Sequence, residues 1–158
     1  MGDTLLQERY ARVLDRLDAA CAAAGRSRQS VRLIAVSKLH PAESLAVVAA
    51  AGQIDFGENY VQEALQKRQD LTADPATAEL CAGIRWHMIG HVQSRKAPLV
   101  AGAFSLVHTL DSRKLADAME RRLVEADARQ PVLFEVNVGG ESQKSGVMSG
   151  DLPELADY

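Results

Sequence analysis

Lys38 follows directly on the run Val31-Arg32-Leu33-Ile34-Ala35-Val36-Ser37, which is short, β-branched and mostly apolar. Such a run reads as a strand buried on both faces, the kind found in parallel sheets. A lysine at the exit of a buried strand loses solvation in its charged form, so a neutral nucleophilic amine becomes accessible near neutral pH. That amine can condense with an aldehyde to give an imine. By pattern alone, a lysine that simply reaches into solvent is the commoner arrangement.

Three further clusters pair polar residues or glycines with the end of an apolar segment: Gly57-Glu58-Asn59, His87 through Lys96, and Asn137 through Gly146. Asn59 can hydrogen-bond a ligand or cap the helix that follows, and the two roles are compatible. His87 and His91 are four apart, which on a helix would suggest a metal pair. Here they bracket a strand end with no third ligand in step, so no metal site is expected. His87 is equally well read as a ligand-facing residue or a hydrogen-bonded core histidine. Arg95, Lys96 and Lys144 add positive charge that would favour an anion, or are ordinary solvated loop charges. Gly139-Gly140 and Gly146 allow a loop to approach a ligand closely. No Walker loop, GxGxxG or Ser-His-Asp order is present.

These clusters need a scaffold that brings strand ends together. Leu6, Tyr10, Val13, Leu14, Leu17 and Cys21 recur at helical steps, with Gly25 placed to end the helix. Pro41 can open the next helix, which continues through Leu45 and Val48 and closes at Gly52. Ile54 to Phe56 predict a second strand, and Gly57-Glu58-Asn59 turn the chain into a helix through Leu65. Residues 71–83 read as loop with one helical turn at most. A third strand is expected over 84–89, and a short helix from Ser94 toward Val100 that Pro98 makes irregular. A fourth strand is expected over 106–110. Asp111 or Ser112 caps a helix whose apolar face is Leu115, Met119, Leu123 and Ala126. A fifth strand spans 132–138, then a Gly/Ser-rich loop runs to Gly150, and Asp151 caps another helix start. Strand and helix alternate five times without hairpin signals, which implies a parallel α/β sheet whose binding residues gather at the C-terminal strand ends.

Composition narrows the function classes. The chain has 158 residues, 47% hydrophobic and 25% charged, with a formal net charge of -3. Charges of both signs are interspersed, so no basic stripe marks a nucleic-acid binder. No apolar run approaches the ~18 residues of a membrane span, and Asp3 and Glu8 break the order of a signal peptide. Cys21 and Cys81 are far apart and read as buried free thiols. The expected setting is the reducing cytoplasm.

At these same clusters the sequence resembles the pyridoxal phosphate homeostasis protein family. The matching segments are Leu33-Ile34-Ala35-Val36-Ser37-Lys38, Phe56-Gly57-Glu58-Asn59-Tyr60-Val61-Gln62-Glu63, Trp86-His87-Met88-Ile89-Gly90-His91-Val92-Gln93-Ser94 with Lys96, and Val136-Asn137 with Glu141 and Lys144-Ser145-Gly146. The motifs keep the family's order and spacing over the chain from about residue 5 onward. One departure is Arg95, where the family usually carries Asn before the lysine. The resemblance implies a TIM-type (β/α)8 barrel of the alanine racemase N-terminal kind. It also implies pyridoxal 5'-phosphate held as a Schiff base on Lys38, with the family's pocket positions falling on Asn59 and His87.

A closed barrel needs at least ~200 residues, and only five strands are countable. The expectation is therefore a single domain over 1–158 that supplies about the first five β/α units of an incomplete barrel. The family's last strands and phosphate-binding loops would lie in an absent C-terminal part or come from another chain. By resemblance the function is a carrier in pyridoxal phosphate homeostasis without catalytic turnover, with pyridoxal-phosphate-dependent apo-enzymes as possible partners. Two alternatives stand beside it. One is a racemase- or decarboxylase-like enzyme, which needs proton-transfer groups on both faces of a carbanion. The other is an assembly module whose open strand edges pair with a partner.

Overall fold

A computed structural model describes residues 2–158. It divides into two compact units, one running through Phe56 and including Leu65–Ile84, the other formed by Gly57–Ala64 and Arg85–Tyr158.

The first unit opens with α1 (Gly2–Ala23), followed by β1 (Ala35–Val36), α2 (Ala42–Ala50) and the start of β2 (Asp55–Glu58). Leu6, Tyr10, Leu14, Leu17 and Cys21 form the sheltered stripe of α1, while Val13 stays 44% exposed. Gly25 ends the helix with φ 62, a left-handed conformation that glycine adopts without steric cost. Gln53 ties this unit together. Its Nε2 donates to the carbonyls of Leu33 (2.8 Å) and Asp55 (2.5 Å), and its Oε1 accepts from the Tyr10 hydroxyl (2.9 Å). A buried amide satisfied on both ends fixes α1 against the segments entering β1 and β2.

The strand expected over 31–37 shrinks to Ala35–Val36, and it is not buried on both faces. Among the described strands β1 lies at the sheet edge, beside β2, and Val36 keeps 52% of its surface exposed. The segment expected to be a loop over 71–83 is mostly helical. The longer helix α3 (Val61–Ala73) is followed at once by α4 (Pro75–Ala82). Asp74 caps α4 by accepting from the Ala76 N–H at 2.9 Å, and Pro75 fills the first helical position. The Asp-Pro pair is thus a helix start rather than a turn. Cys21 and Cys81 are both buried and free.

In the second unit the end of β2 is followed across the sheet by β3 (Arg85–Met88), β4 (Leu106–Leu110) and β5 (Val132–Phe134). β3 pairs parallel with β4 (His87 opposite Leu106), and β4 pairs parallel with β5 (Val107 opposite Val132). A 3-10 turn at Ser94–Lys96 and the short α5 (Ala97–Val100) lead from β3 to β4. The N-cap there is Gln93, one residue before the expected Ser94. α6 (Arg113–Glu125) begins at Ser112, whose hydroxyl accepts from the Leu115 N–H at 3.3 Å. Its buried face is Leu115, Ala118, Met119 and Leu123. Ala126 falls just past the helix end and is exposed.

The fifth expected strand is broken. Val132–Phe134 joins the main sheet, whereas β6 (Val136–Asn137) pairs parallel with β7 (Val147–Met148) in a separate two-stranded sheet. Glu135 sits between the two, its N–H donating to the Leu110 carbonyl (3.0 Å) and its own carbonyl accepting from the Val147 N–H (2.8 Å). α7 (Leu152–Ala156) ends the described chain. No helix among the described residues is long and apolar enough to cross a membrane.

Candidate functional site

In the first unit, residues 37–40 form a tight turn in which the His40 N–H donates to the Ser37 carbonyl at 3.1 Å. Leu39 takes a left-handed φ of 63. The Nζ of Lys67, on α3, donates to the same carbonyl at 2.7 Å. Lys67 and Ser37 are both 5% exposed. With two donors on one carbonyl oxygen, the backbone immediately before Lys38 is held from two sides. Lys38 itself stands exposed at the head of the turn. The shelter expected for it at the exit of a doubly buried strand is not present in this chain, because β1 is an edge strand.

Asn59 and His87 belong to the second unit. Asn59 lies against Gly90 so closely that a Cβ on that glycine would sit 2.3 Å from the Asn59 carbonyl oxygen and 2.6 Å from its Cα. The strand ends are locked here by the Ile89 N–H donating to the Glu58 carbonyl (2.9 Å) and by the Thr109 hydroxyl donating to the Gly90 carbonyl (2.8 Å). A cavity of about 320 Å³ opens beside them, lined by Asn59, Tyr60, Val61, Gly90, His91, Gln93 and Lys96. Asn59 does not occupy the cap position of α3. That helix starts two residues later, and the Tyr60 carbonyl takes the bond from the Ala64 N–H.

His87 is 1% exposed and faces the core. Its Nδ1 lies 3.0 Å from Nε2 of His108, with ring centroids 5.2 Å apart. Burial and the neighbouring His87 both hold the His108 imidazole below its ordinary pKa, desolvation being the larger cause. The two rings share one hydrogen bond that only one nitrogen can donate.

The basic residues are each engaged locally: Lys96 Nζ with Gln62 Oε1 (2.9 Å), Arg95 Nε with Gln93 Oε1 (2.9 Å), and Lys144 in an ion pair with Glu141. Asn137 is structural. Its side chain donates to the Glu141 carbonyl (2.9 Å) and accepts from the Glu141 N–H (3.3 Å), closing the loop after β6. Gly146 packs against that segment, where a Cβ would meet the Asn137 nitrogen at 2.7 Å, and its φ of 112 is closed to most side chains.

Sequence spacing did not single out a further cluster. His91, Asp111 and Glu135, each just beyond the C-terminal end of a strand, bring one ligand atom apiece within 4.8 Å of one another. The sequence likewise gave no reason to pair Lys67 with the lysine-bearing turn.

A model of the alanine racemase N-terminal domain matches residues 13–158. The chain is 38% identical over 151 residues to the pyridoxal phosphate homeostasis protein of Aquifex aeolicus, covering 96% of this chain and 63% of that protein. It is 40% identical over 152 residues to the protein of the same name from Pseudomonas aeruginosa, with the same coverage of 96% and 63%. The chain thus spans about 63% of the length of the curated relatives it matches. Among solved structures, an unknown protein of Bifidobacterium adolescentis superposes with a TM-score of 0.81 at 31% identity, covering 98% of this chain and 63% of that one. PipY of Synechococcus elongatus, solved with pyridoxal phosphate bound, superposes with a TM-score of 0.66 at 34% identity, covering 89% and 63%. The parallel strands, the helices between them and the matched family model agree: this chain belongs to the alanine racemase N-terminal domain family.

Proposed function

We propose that this chain supplies the lysine-bearing part of a pyridoxal 5'-phosphate site, in a cytoplasmic protein of pyridoxal phosphate homeostasis that holds the cofactor without turning over a substrate. The observation that carries this reading is the turn at residues 37–40. A primary amine that must capture an aldehyde needs access from solvent and a backbone that does not drift, and the turn provides both. Lys38 is exposed, while the carbonyl before it is fixed by the His40 N–H and the Lys67 ammonium. Relatives named for pyridoxal phosphate homeostasis and a solved relative containing pyridoxal phosphate support the choice of aldehyde.

The cofactor, when bound, supplies an aldehyde carbon for an amine to attack. The chain's own residues then have separable tasks. Lys38 offers the nucleophilic nitrogen. Lys67 keeps the turn in register by donating to the Ser37 carbonyl. Asn59 lines a cavity and offers an amide for orientation, and His87, the other position assigned to the pocket, is held by its contact with His108. The same reading makes one domain of residues 1–158, delivering its cofactor to dependent apo-enzymes.

The test is borohydride reduction in the presence of pyridoxal phosphate, followed by peptide mass mapping and absorbance spectra. The expected result is a single reduced adduct on Lys38 and no imine band in Lys38→Ala. An adduct that maps elsewhere, or a band that survives the substitution, removes Lys38 from the role.

A further inference from the structure

We propose that His91, Asp111 and Glu135 form a binding site for a divalent first-row transition-metal ion. The three residues come from the ends of three neighbouring strands: His91 follows β3, Asp111 follows β4 and Glu135 follows β5. In parallel α/β sheets, this is the edge at which ligands bind. His91 Nδ1 already lies 3.2 Å from Asp111 Oδ2. All three ligand atoms fall within 4.8 Å of one another. Metal–ligand distances of about 2.1 Å put coordinating atoms roughly 3.0–3.5 Å apart, so a small movement of one carboxylate completes the set.

The surroundings hold the ligands in place. The Ser112 hydroxyl donates to Asp111 Oδ1 (2.9 Å), leaving Oδ2 turned toward His91. Thr109 anchors the Gly90 carbonyl directly before His91, and the Leu110 carbonyl takes the Glu135 N–H, so the backbones of Asp111 and Glu135 are tied together. Outer hydrogen bonds of this kind orient metal ligands.

An ion pair between His91 and Asp111 does not account for the third residue. Glu135 Oε2 is shut off from solvent and has no hydrogen-bond partner among the described residues. A second carboxylate brought beside the first adds like charge that one imidazole cannot offset. A dication resolves both at once. One imidazole nitrogen and two carboxylate oxygens suit Zn²⁺, Co²⁺ or Mn²⁺ rather than a thiolate-seeking ion. The His91 side chain is 49% exposed, which leaves a way in for the ion and an open position for water or an oxygen ligand.

The experiment takes the chelator-stripped chain and titrates it with Co²⁺, read by its visible absorption, and with Zn²⁺, read by calorimetry and by competition against Co²⁺. One equivalent should bind saturably, Zn²⁺ should displace Co²⁺, and the thermal midpoint should rise with Zn²⁺ concentration. Asp111→Asn, Glu135→Gln and His91→Asn should each weaken binding by at least about tenfold. Cys21→Ser and Cys81→Ser should leave it unchanged, since both thiols are buried and neither belongs to the cluster. Circular dichroism identifies any variant that fails to fold, and the remaining variants still decide the matter. Absence of saturable binding at millimolar Co²⁺, or affinity unchanged in the folded Glu135→Gln or Asp111→Asn protein, overturns the proposal. Loss of lysine capture in Lys38→Ala has no bearing on these readouts, so the two readings fail separately.

Discussion

Gly90 and Asn59 touch backbone to backbone, with room for no side-chain atom between them: a Cβ on Gly90 would lie 2.8 Å from the Asn59 carbonyl carbon and closer still to its Cα and oxygen. The obstacle is main chain, itself held by the Ile89–Glu58 and Thr109–Gly90 hydrogen bonds, so it cannot swing aside as a flexible side chain would. Gly90→Ala should therefore destabilise the protein by up to about 3 kcal/mol, the upper range for overpacking a tight site. Urea denaturation read by the fluorescence of Trp86 would measure this. A midpoint within error of the parent would mean that the strand ends are free to separate.

Lys67 is buried and donates to the backbone carbonyl of Ser37 at 2.7 Å. Lys67→Met keeps most of the apolar stem and removes the donor. Loss of the hydrogen bond to Ser37 alone should cost about 1–3 kcal/mol, the penalty for removing one partner of a buried hydrogen bond. If the lysine-bearing turn captures the cofactor as proposed, the same variant should also form its imine more slowly while Lys38 remains the modified residue. Stopped-flow absorbance after mixing with pyridoxal phosphate checks the rate. Reduced stability with an unchanged rate would confine Lys67 to a structural role.

The His87–His108 pair makes stability depend on pH in a definite direction. Desolvation, and then the neighbouring His87, hold the folded-state pKa of His108 below that of a free imidazole. The unfolded chain therefore takes up protons that the folded one resists. The contribution is complete above the unfolded value of about 6.5 and is lost as pH falls below it. Thermal midpoints from pH 7.5 down to 5 should decline, and they should decline less in His108→Gln, whose amide can still bond His87 but does not titrate. Parallel pH profiles for the two proteins would show that the pair is not the cause.

What the sequence disclosed follows from which interactions are local. Gly25 as a helix end, Ser112 as a cap and the Leu115-Met119-Leu123 face are decided within a few residues, and each is found where its spacing places it. The Asp74-Pro75 pair was legible too, but it opens a helix rather than a loop, because a cap and a turn draw on the same residue types. The broken fifth strand was not legible. Val132 through Val138 alternate as one strand would, and only the pairing of Val136 with Val147 shows that the chain changes sheets at Glu135. The same break places Glu135 beside Asp111, a neighbour no spacing rule could supply. For Lys67 a signal did exist. It stands in the buried stripe of α3 with Val61, Ala64 and Leu71, and a lysine in such a stripe must have a buried acceptor. Only the fold identifies the Ser37 carbonyl as an acceptor.

Leu39 holds the one conformation in the lysine-bearing turn that its own side chain opposes. Its φ of 63 is left-handed, and a left-handed residue with a Cβ costs roughly 1–2 kcal/mol. The side chain is 77% exposed, so little burial is lost if it is removed. Leu39→Gly relieves the strain and gives back roughly 0.5–1 kcal/mol through the greater freedom of an unfolded glycine. The net expectation is a small gain, about 0.5 kcal/mol, whereas Leu39→Val should lose stability because a β-branched residue tolerates positive φ least. The two substitutions separate conformation from hydrophobicity, since glycine removes more apolar surface than valine yet should give the more stable protein. Urea midpoints for both variants, measured beside the parent, decide it. A glycine variant less stable than the valine one would show that the leucine side chain, not the backbone, holds the turn beneath Lys38.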